Sequence, residues 1–565
     1  MKKMKYIKIV LVGFLGFLSS CDGFLDVVDL DELTSGTVYK TETDLSYALN
    51  QLYTFLPQGD VEGSAPVLPY FWTDEAIHRN INDGGGRQES DFNWTINSSV
   101  LDNFYRYPEI ADINFFLQAL PDAEFFNESN RARFGAEARF FRVWIYEAMV
   151  FAYGDVPLIT TTISADDLPE RTPRIEVFNF VLSELDAIIA ILPEASQYAA
   201  ADNGRITKGA ALALKARACL NAVGWHSDPA SLYVEAEQAA AAIVNSGEYS
   251  LVEGIEGFAQ QFTSASDLVS PETILATAYV PEFRTNSLPR RLPPKGAWRG
   301  LEATFGNNQS RPGFTADFIE EVQTINGLFP INDPSYDPAN PWENRDPRLA
   351  VSVILPGDLL PSKGNPDLDY EFQPHPNINP NGTADNINST VNPTGYNFRK
   401  YLTFDIPALD RADVDIKVIR YSEVLLMYAE ALAGQGKEAE ALVYLDQVRA
   451  RVGMPLYAEI GLPTITRGTT GNQMIDAILL ERRYEFAGEG PQRWFDIWRY
   501  KLGDQVITQV YGIPESTELP GDLIGPKFKA DGDSYNRVWN DKFYLLPIPQ
   551  KVIDANPNIR QNPGW

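Results

Sequence analysis

Two cysteines and three histidines are all that 565 residues offer to thiol or imidazole chemistry. Cys21 and Cys219 are too few for a disulfide framework or a cysteine zinc cluster. His78, His226 and His375 lie far apart with no HExxH pair, which argues against a histidine-built metal enzyme. Positive charge is scarce as well: 47 Lys and Arg against 76 Asp and Glu leave a net charge of −29. A surface that acidic repels phosphate backbones and excludes nucleic-acid binding as the main function. Long apolar runs are missing after residues 9–18, so nothing later reads as a membrane span. There is no GxSxG, no P-loop and no GxGxxG ahead of a helix. With so many carboxylates some pair is always at hand, so paired acids are no argument for a glycosidase. The chain is expected to be neither an enzyme nor the holder of a metal or cofactor.

What is present is a core and an address. A hydrophobic content of 44% with 12% aromatics is ample for packing and excludes global disorder. Lys2, Lys3, Lys5 and Lys8 precede the apolar run at 9–18, the pattern of a signal peptide over residues 1–20. Leu18-Ser19-Ser20-Cys21 resembles a bacterial lipobox, with Cys21 as the residue lipidated after cleavage. Residues 21–42 are acidic and read as a tether.

From Thr43, expected as an N-cap, helical periodicity begins. Amphipathic helices are predicted over 110–120, 132–153, 176–192, 207–223 and 232–244, and again over 421–433, 437–452 and 473–487. The helices echo one another. Ala216 and Ala218 line up with Ala429 and Ala431, and 236–239 with 439–442. The second hairpin, 421–453, has about the ~34-residue length of a tetratricopeptide unit; an ordinary helical hairpin is the equal alternative. Cys219, on the apolar face, reads as a small buried hydrophobe. Between 252 and 417 the chain turns rich in Pro, Asn, Gly and Asp, with short strand-like runs at 273–280 and 349–355. The expected plan is mostly α: a helical scaffold over 43–251 and 418–565, with a loop-rich second lobe over 252–417 between them.

Several segments together resemble the SusD/RagB family of Bacteroidetes outer-membrane nutrient-binding lipoproteins. Cys21-Asp22-Gly23-Phe24-Leu25-Asp26 looks like its lipidated start. Ala136-Glu137-Ala138-Arg139-Phe140-Phe141-Arg142 with Tyr153-Gly154-Asp155-Val156-Pro157 looks like its first-helix signature, and Thr207-Lys208-Gly209-Ala210 like the opening of its repeat. Asp346-Pro347-Arg348-Leu349, Arg420-Tyr421-Ser422-Glu423, Glu481-Arg482-Arg483-Tyr484-Glu485-Phe486, Arg493-Trp494-Phe495-Asp496 and Gln561-Asn562-Pro563-Gly564-Trp565 follow in the family's order. The resemblance implies a fold built on tetratricopeptide-like hairpins. It also implies a cell-surface, outer-membrane location anchored through Cys21. The implied role is capture of oligosaccharides for a SusC-like TonB-dependent transporter. Peptide uptake is the alternative within the family, and an all-helical glycosidase a more distant one. Arg139, Arg142, Glu481, Arg482, Arg483 and Glu485 read as ion pairs that orient packing.

A sugar presents hydroxyls and apolar C–H faces, so its site needs flat rings flanked by hydrogen-bonding side chains. Two loops have that composition. The first offers Trp72, Asp74, His78, Arg79 and Trp94 around a Gly84-Gly85-Gly86 run; the second offers Trp298 and Arg299 between Gly296 and Gly300. These seven are the candidate ligand residues, with Trp72 and Trp298 expected exposed at one cleft. Tyr336, Trp342 and Tyr396 lie in further loops, whereas Trp144, Trp494 and Trp498 are expected in the core.

Overall fold

The structure, a computed structural model, describes residues 39–58, 68–78, 90–98, 104–164, 166–294, 296, 312–360, 370–379, 385–387, 392–403, 411–530 and 537–565. Cys21, Arg79, Trp298 and Arg299 lie outside the described residues, as do the signal peptide and most of the tether.

The first half of the chain folds as helices: α1 (Glu42–Leu52), α2 (Tyr107–Ala119), α3 (Glu128–Tyr153), α4 (Arg174–Ile189), α5 (Lys208–Ala222) and α6 (Pro229–Ser246). Four more return late, α7 (Tyr421–Gly434), α8 (Glu438–Arg451), α9 (Gln473–Phe486) and α10 (Gln492–Arg499), with the short α11 (Gln550–Ala555) near the end. Periodicity located α1 to α9 to within a few residues because each buries an apolar stripe; α10 and α11 are too short to show one. The start of α1 is corrected: its N-cap is Thr41, whose hydroxyl accepts from the Asp44 N–H while the Asp44 carboxylate accepts from the Thr41 N–H. That reciprocal capping box outweighs the single hydroxyl at Thr43.

The echoing hairpins pack against each other. Helix α5 lies on α6, α7 on α8, and α6 on α7. Ala216, Ala218, Ala429 and Ala431 are all buried at these contacts. A Cβ placed on Gly434 would stand 2.5 Å from the Tyr233 ring, so glycine lets α6 and α7 close. Cys219 is fully buried, and burial pushes its thiol up to about 12. It is an inert part of the wall.

The strands are short and paired two by two: β1 (Ala76–His78) with β3 (Pro312–Phe314), β2 (Thr273–Thr277) with β8 (Ile416–Arg420), β4 (Val353–Ile354) with β7 (Asn397–Phe398), β5 (Leu359–Leu360) with β6 (Tyr370–Glu371), and β9 (Tyr511–Pro514) with β10 (Lys527–Lys529), all antiparallel. The predicted run at 349–355 divides into a turn of helix, Arg348–Ser352, and then β4. Two apolar cores result. One fills the helical scaffold; the other gathers Phe258, Phe262, Phe314, Phe318, Val353, Phe398 and Tyr484.

A buried ion network joins the two cores. Arg420 contacts Glu272, Glu485 (2.9 Å) and Glu489 (2.8 Å); Arg348 contacts Asp346 (2.7 Å), Glu481 (2.6 Å) and Glu485 (3.2 Å). Arg451 bridges Glu272 and Glu485, Arg449 holds Glu481, and Lys400 holds Glu489. Five carboxylates thus face five cations, so the charges of this network balance. Arg139 and Arg142 likewise share Glu184, and Arg482 holds Asp496. The charged signature residues are structural, as their helical placement suggested.

Candidate functional site

The first candidate loop folds inward. Trp72 is fully buried, with Trp94 at 4.9 Å, Phe104 at 5.6 Å and Trp494 at 5.7 Å between ring centroids. Trp94 is itself 5% exposed and stacks on Phe92. Asp74 is clamped by Arg493 through two hydrogen bonds of 2.8 and 2.9 Å, and Arg483 reaches Glu75 at 3.2 Å. His78 is buried on β1, opposite Pro312, with its backbone N–H on the Ser90 hydroxyl. Arg537 closes this plug by donating to the carbonyls of Phe71, Thr73, Ala76 and Ser90. The expectation of an exposed ring at Trp72 is therefore corrected. Trp72, Asp74, His78 and Trp94 come together, but as core.

The electrostatics follow from the enclosure. Burial alone would raise the Asp74 carboxyl, but the guanidiniums of Arg493 and Arg483 outweigh it and hold it well below the usual range. Glu75 goes the other way: burial pushes it up to about 7, with Arg483 and Arg493 only partly opposing. The signal that would have found these partners is more than 400 residues downstream.

Open chemistry lies where the loops at 339–343 and 373–378 meet residues 513–520. A surface cleft of about 320 Å³ is lined by Asn340, Trp342, Glu343, Gln373, His375, Thr517 and several prolines. The half-buried Trp342 ring is fixed there, because its indole N–H donates to the Pro356 carbonyl at 3.2 Å and its ring meets Tyr396 edge-on. Asn340, Glu343 and Thr517 are exposed around it. His375 Nδ1 accepts from the Asn377 N–H, so the proton sits on Nε2, which donates to the Glu515 carbonyl. A flat ring ringed by amide, carboxylate and hydroxyl groups can stack on a sugar face and clamp its hydroxyls.

The stem of the second candidate loop reaches this layer. The Gly296 N–H donates to Asp385 Oδ1 at 2.9 Å, and a Cβ there would collide with Tyr370. Ile387 in turn donates to the Pro374 carbonyl, next to Gln373 and His375 in the cleft wall. Sequence reasoning marked Trp342 only as a loop tryptophan and missed Gln373 and Thr517, since such residues are unremarkable until the fold sets them around a ring.

A second and larger cavity, about 800 Å³, lies between α2, α3, β8, the 489–495 segment and α11. Its walls include Phe55, Tyr105, Tyr107, Trp144 and Phe495. Most polar side chains there are already committed: Arg217 to Glu423, Glu147 to Asn221, Glu489 to Lys400, Arg106 to Glu109 and Asn556 to the Pro169 carbonyl. It is a poorer fit to a hydroxyl-rich ligand. Trp144, expected in the core, is half-buried at this wall; Trp494 and Trp498 are core.

Among the described residues, no helix is long and apolar enough to cross a membrane. Comparison with known proteins gives one answer along the whole chain. Residues 24–220 match a family model described as starch-binding associating with outer membrane, and residues 282–565 match the SusD family model. Two SusD-like proteins of Formosa agariphila are 23% and 24% identical, over 91% and 100% of this chain and 95% and 100% of theirs. A SusD-like carbohydrate binding protein of Bacteroides fragilis has the same fold, with a TM-score of 0.77 at 24% identity over 93% of this chain and 100% of its own. A surface glycan-binding protein of Bacteroides fluxus follows at 0.67 and 17% identity, over 93% of this chain and 100% of its own. The mostly helical fold, the ordered motifs and these matches agree: the chain belongs to the SusD family.

Proposed function

We propose that this protein captures oligosaccharides at the cell surface, by stacking and hydrogen bonding without covalent chemistry, and delivers them to a SusC-like TonB-dependent transporter. The observation that carries the reading is the surface cleft, where the fixed Trp342 ring stands among Asn340, Glu343, Gln373 and Thr517. Family membership supports it, and so does the description of the Bacteroides fragilis neighbour as carbohydrate binding. Trp298 and Arg299 belong to the proposed site, two and three residues beyond Gly296. Trp72, Asp74, His78 and Trp94 are buried and are left out of the proposed site. The location is the outer-membrane surface, with acyl chains on Cys21; several chains hold firmly where one alone would be marginal.

The test is incubation of the protein lacking residues 1–20 with a panel of polysaccharides. Retention of one or more without new reducing ends supports the reading, and release of reducing ends would sink it. Cys21→Ser should release the protein from the membrane fraction. A variant that stays with outer membranes as tightly as wild type would refute the anchor. Co-purification with a SusC-like transporter tests delivery.

A further inference from the structure

The large cavity has a largely apolar wall with few uncommitted hydrogen-bonding groups, and the start of α2 lines it. The chain enters the described structure close by. Tyr39 seats its ring edge-on against Phe115 of α2, with centroids 5.7 Å apart. Tyr107 and Pro108, at the other end of that helix, line the cavity. Eight residues at ~1.5 Å each separate the two places, roughly 12 Å, which about four extended residues cover. The seventeen residues before Tyr39, from 22 to 38, have length to spare.

Their composition fits the cavity better than a solvated tether. Phe24, Leu25, Val27, Val28, Leu30 and Leu33 are concentrated in ten positions, interleaved with Asp26, Asp29, Asp31 and Glu32 and with no basic residue. Side chains of that kind left in water forgo the free energy of apolar burial. In the sequence, 59–67 follows the lining residue Gln58 and 99–103 precedes the lining residue Phe104, but each stretch carries only two large apolar side chains.

We infer that residues 22–38 dock into this cavity, Phe24 and Leu25 foremost, so that the segment after the anchor is part of the folded body. The inference does not depend on glycan binding or on lipidation of Cys21.

The direct test places a photoreactive benzoylphenylalanine at position 24 of the otherwise wild-type chain 21–565 and maps the cross-links by mass spectrometry. Cross-links to peptides containing 104–109, Trp144 or 551–559 are expected. Cross-links only elsewhere, or none above a denatured control, would overturn the inference. Ala148 lines the cavity, half-buried, and Ala148→Trp fills it without touching the segment. In that variant the position-24 cross-links should be lost, and amide exchange over 22–38 should rise at least tenfold. Unchanged exchange would mean that another stretch of chain fills the cavity.

Discussion

The segment 70–78 and the segment 336–343 are alike in composition and opposite in fate. Each mixes aromatic rings with carboxylates and small polar residues. The first is sealed: Trp72 is wholly buried and Asp74 sits on two guanidinium hydrogen bonds. In the second, Trp342 is anchored by its N–H and an edge-on contact with Tyr396, and Asn340 and Glu343 remain in solvent. Where the charges find partners makes the difference. Arg483, Arg493 and Arg537 converge on the first segment from the far end of the chain, whereas the arginine on the second is its sequence neighbour Arg345, which donates to the Pro341 carbonyl and lies over the Tyr336 ring. A polar, aromatic run is therefore a ligand surface only if no distant cation claims it.

Changes that break the first segment should be the most damaging. Asp74→Ala strands Arg493 in the interior, and loss of one partner of a buried pair costs about 3–5 kcal/mol. Trp72→Ala opens a cavity against Trp94, Phe104 and Trp494 and should cost about as much, ~3–5 kcal/mol. Denaturant melts would show both. A Trp72→Ala protein as stable as wild type would mean that the ring is not core.

A pH series sharpens the same contrast. Glu75 has its folded carboxyl raised to about 7. A raised carboxyl binds more protons folded than unfolded, so its contribution is fully present below the ordinary glutamate range and is lost as pH rises through about 7. Asp74, held low by its arginines, contributes stability above the ordinary aspartate range and loses it only in strong acid. Glu75→Gln should thus gain stability relative to wild type between pH 5 and pH 8, by on the order of 2 kcal/mol. Melting temperatures across that range decide it, and parallel curves would refute the assignment.

Sequence reading found the helices because period and caps are local, and it found the structural role of Arg139, Arg142, Glu481 and Glu485 because charge on an aromatic-rich helix has few other uses. It misplaced Trp72 and Asp74 because their neighbours Thr73, Asp74 and Glu75 look solvated until Arg483 and Arg493 are folded onto them. It passed over Gln373 and Thr517 because the cleft joins loops about 140 residues apart in the chain, which no spacing rule brings together.

The smallest effect on stability should come from Trp342. Its ring is half-buried at a surface, so Trp342→Ala should cost no more than about 1 kcal/mol.

The same variant gives the most direct test of the glycan-binding account. Titration calorimetry is run on wild type and Trp342→Ala with a polysaccharide that wild type retains. The account predicts that binding weakens by about 1–3 kcal/mol, the scale of one stacked ring, while the protein stays folded. Affinity unchanged for every retained polysaccharide would contradict it.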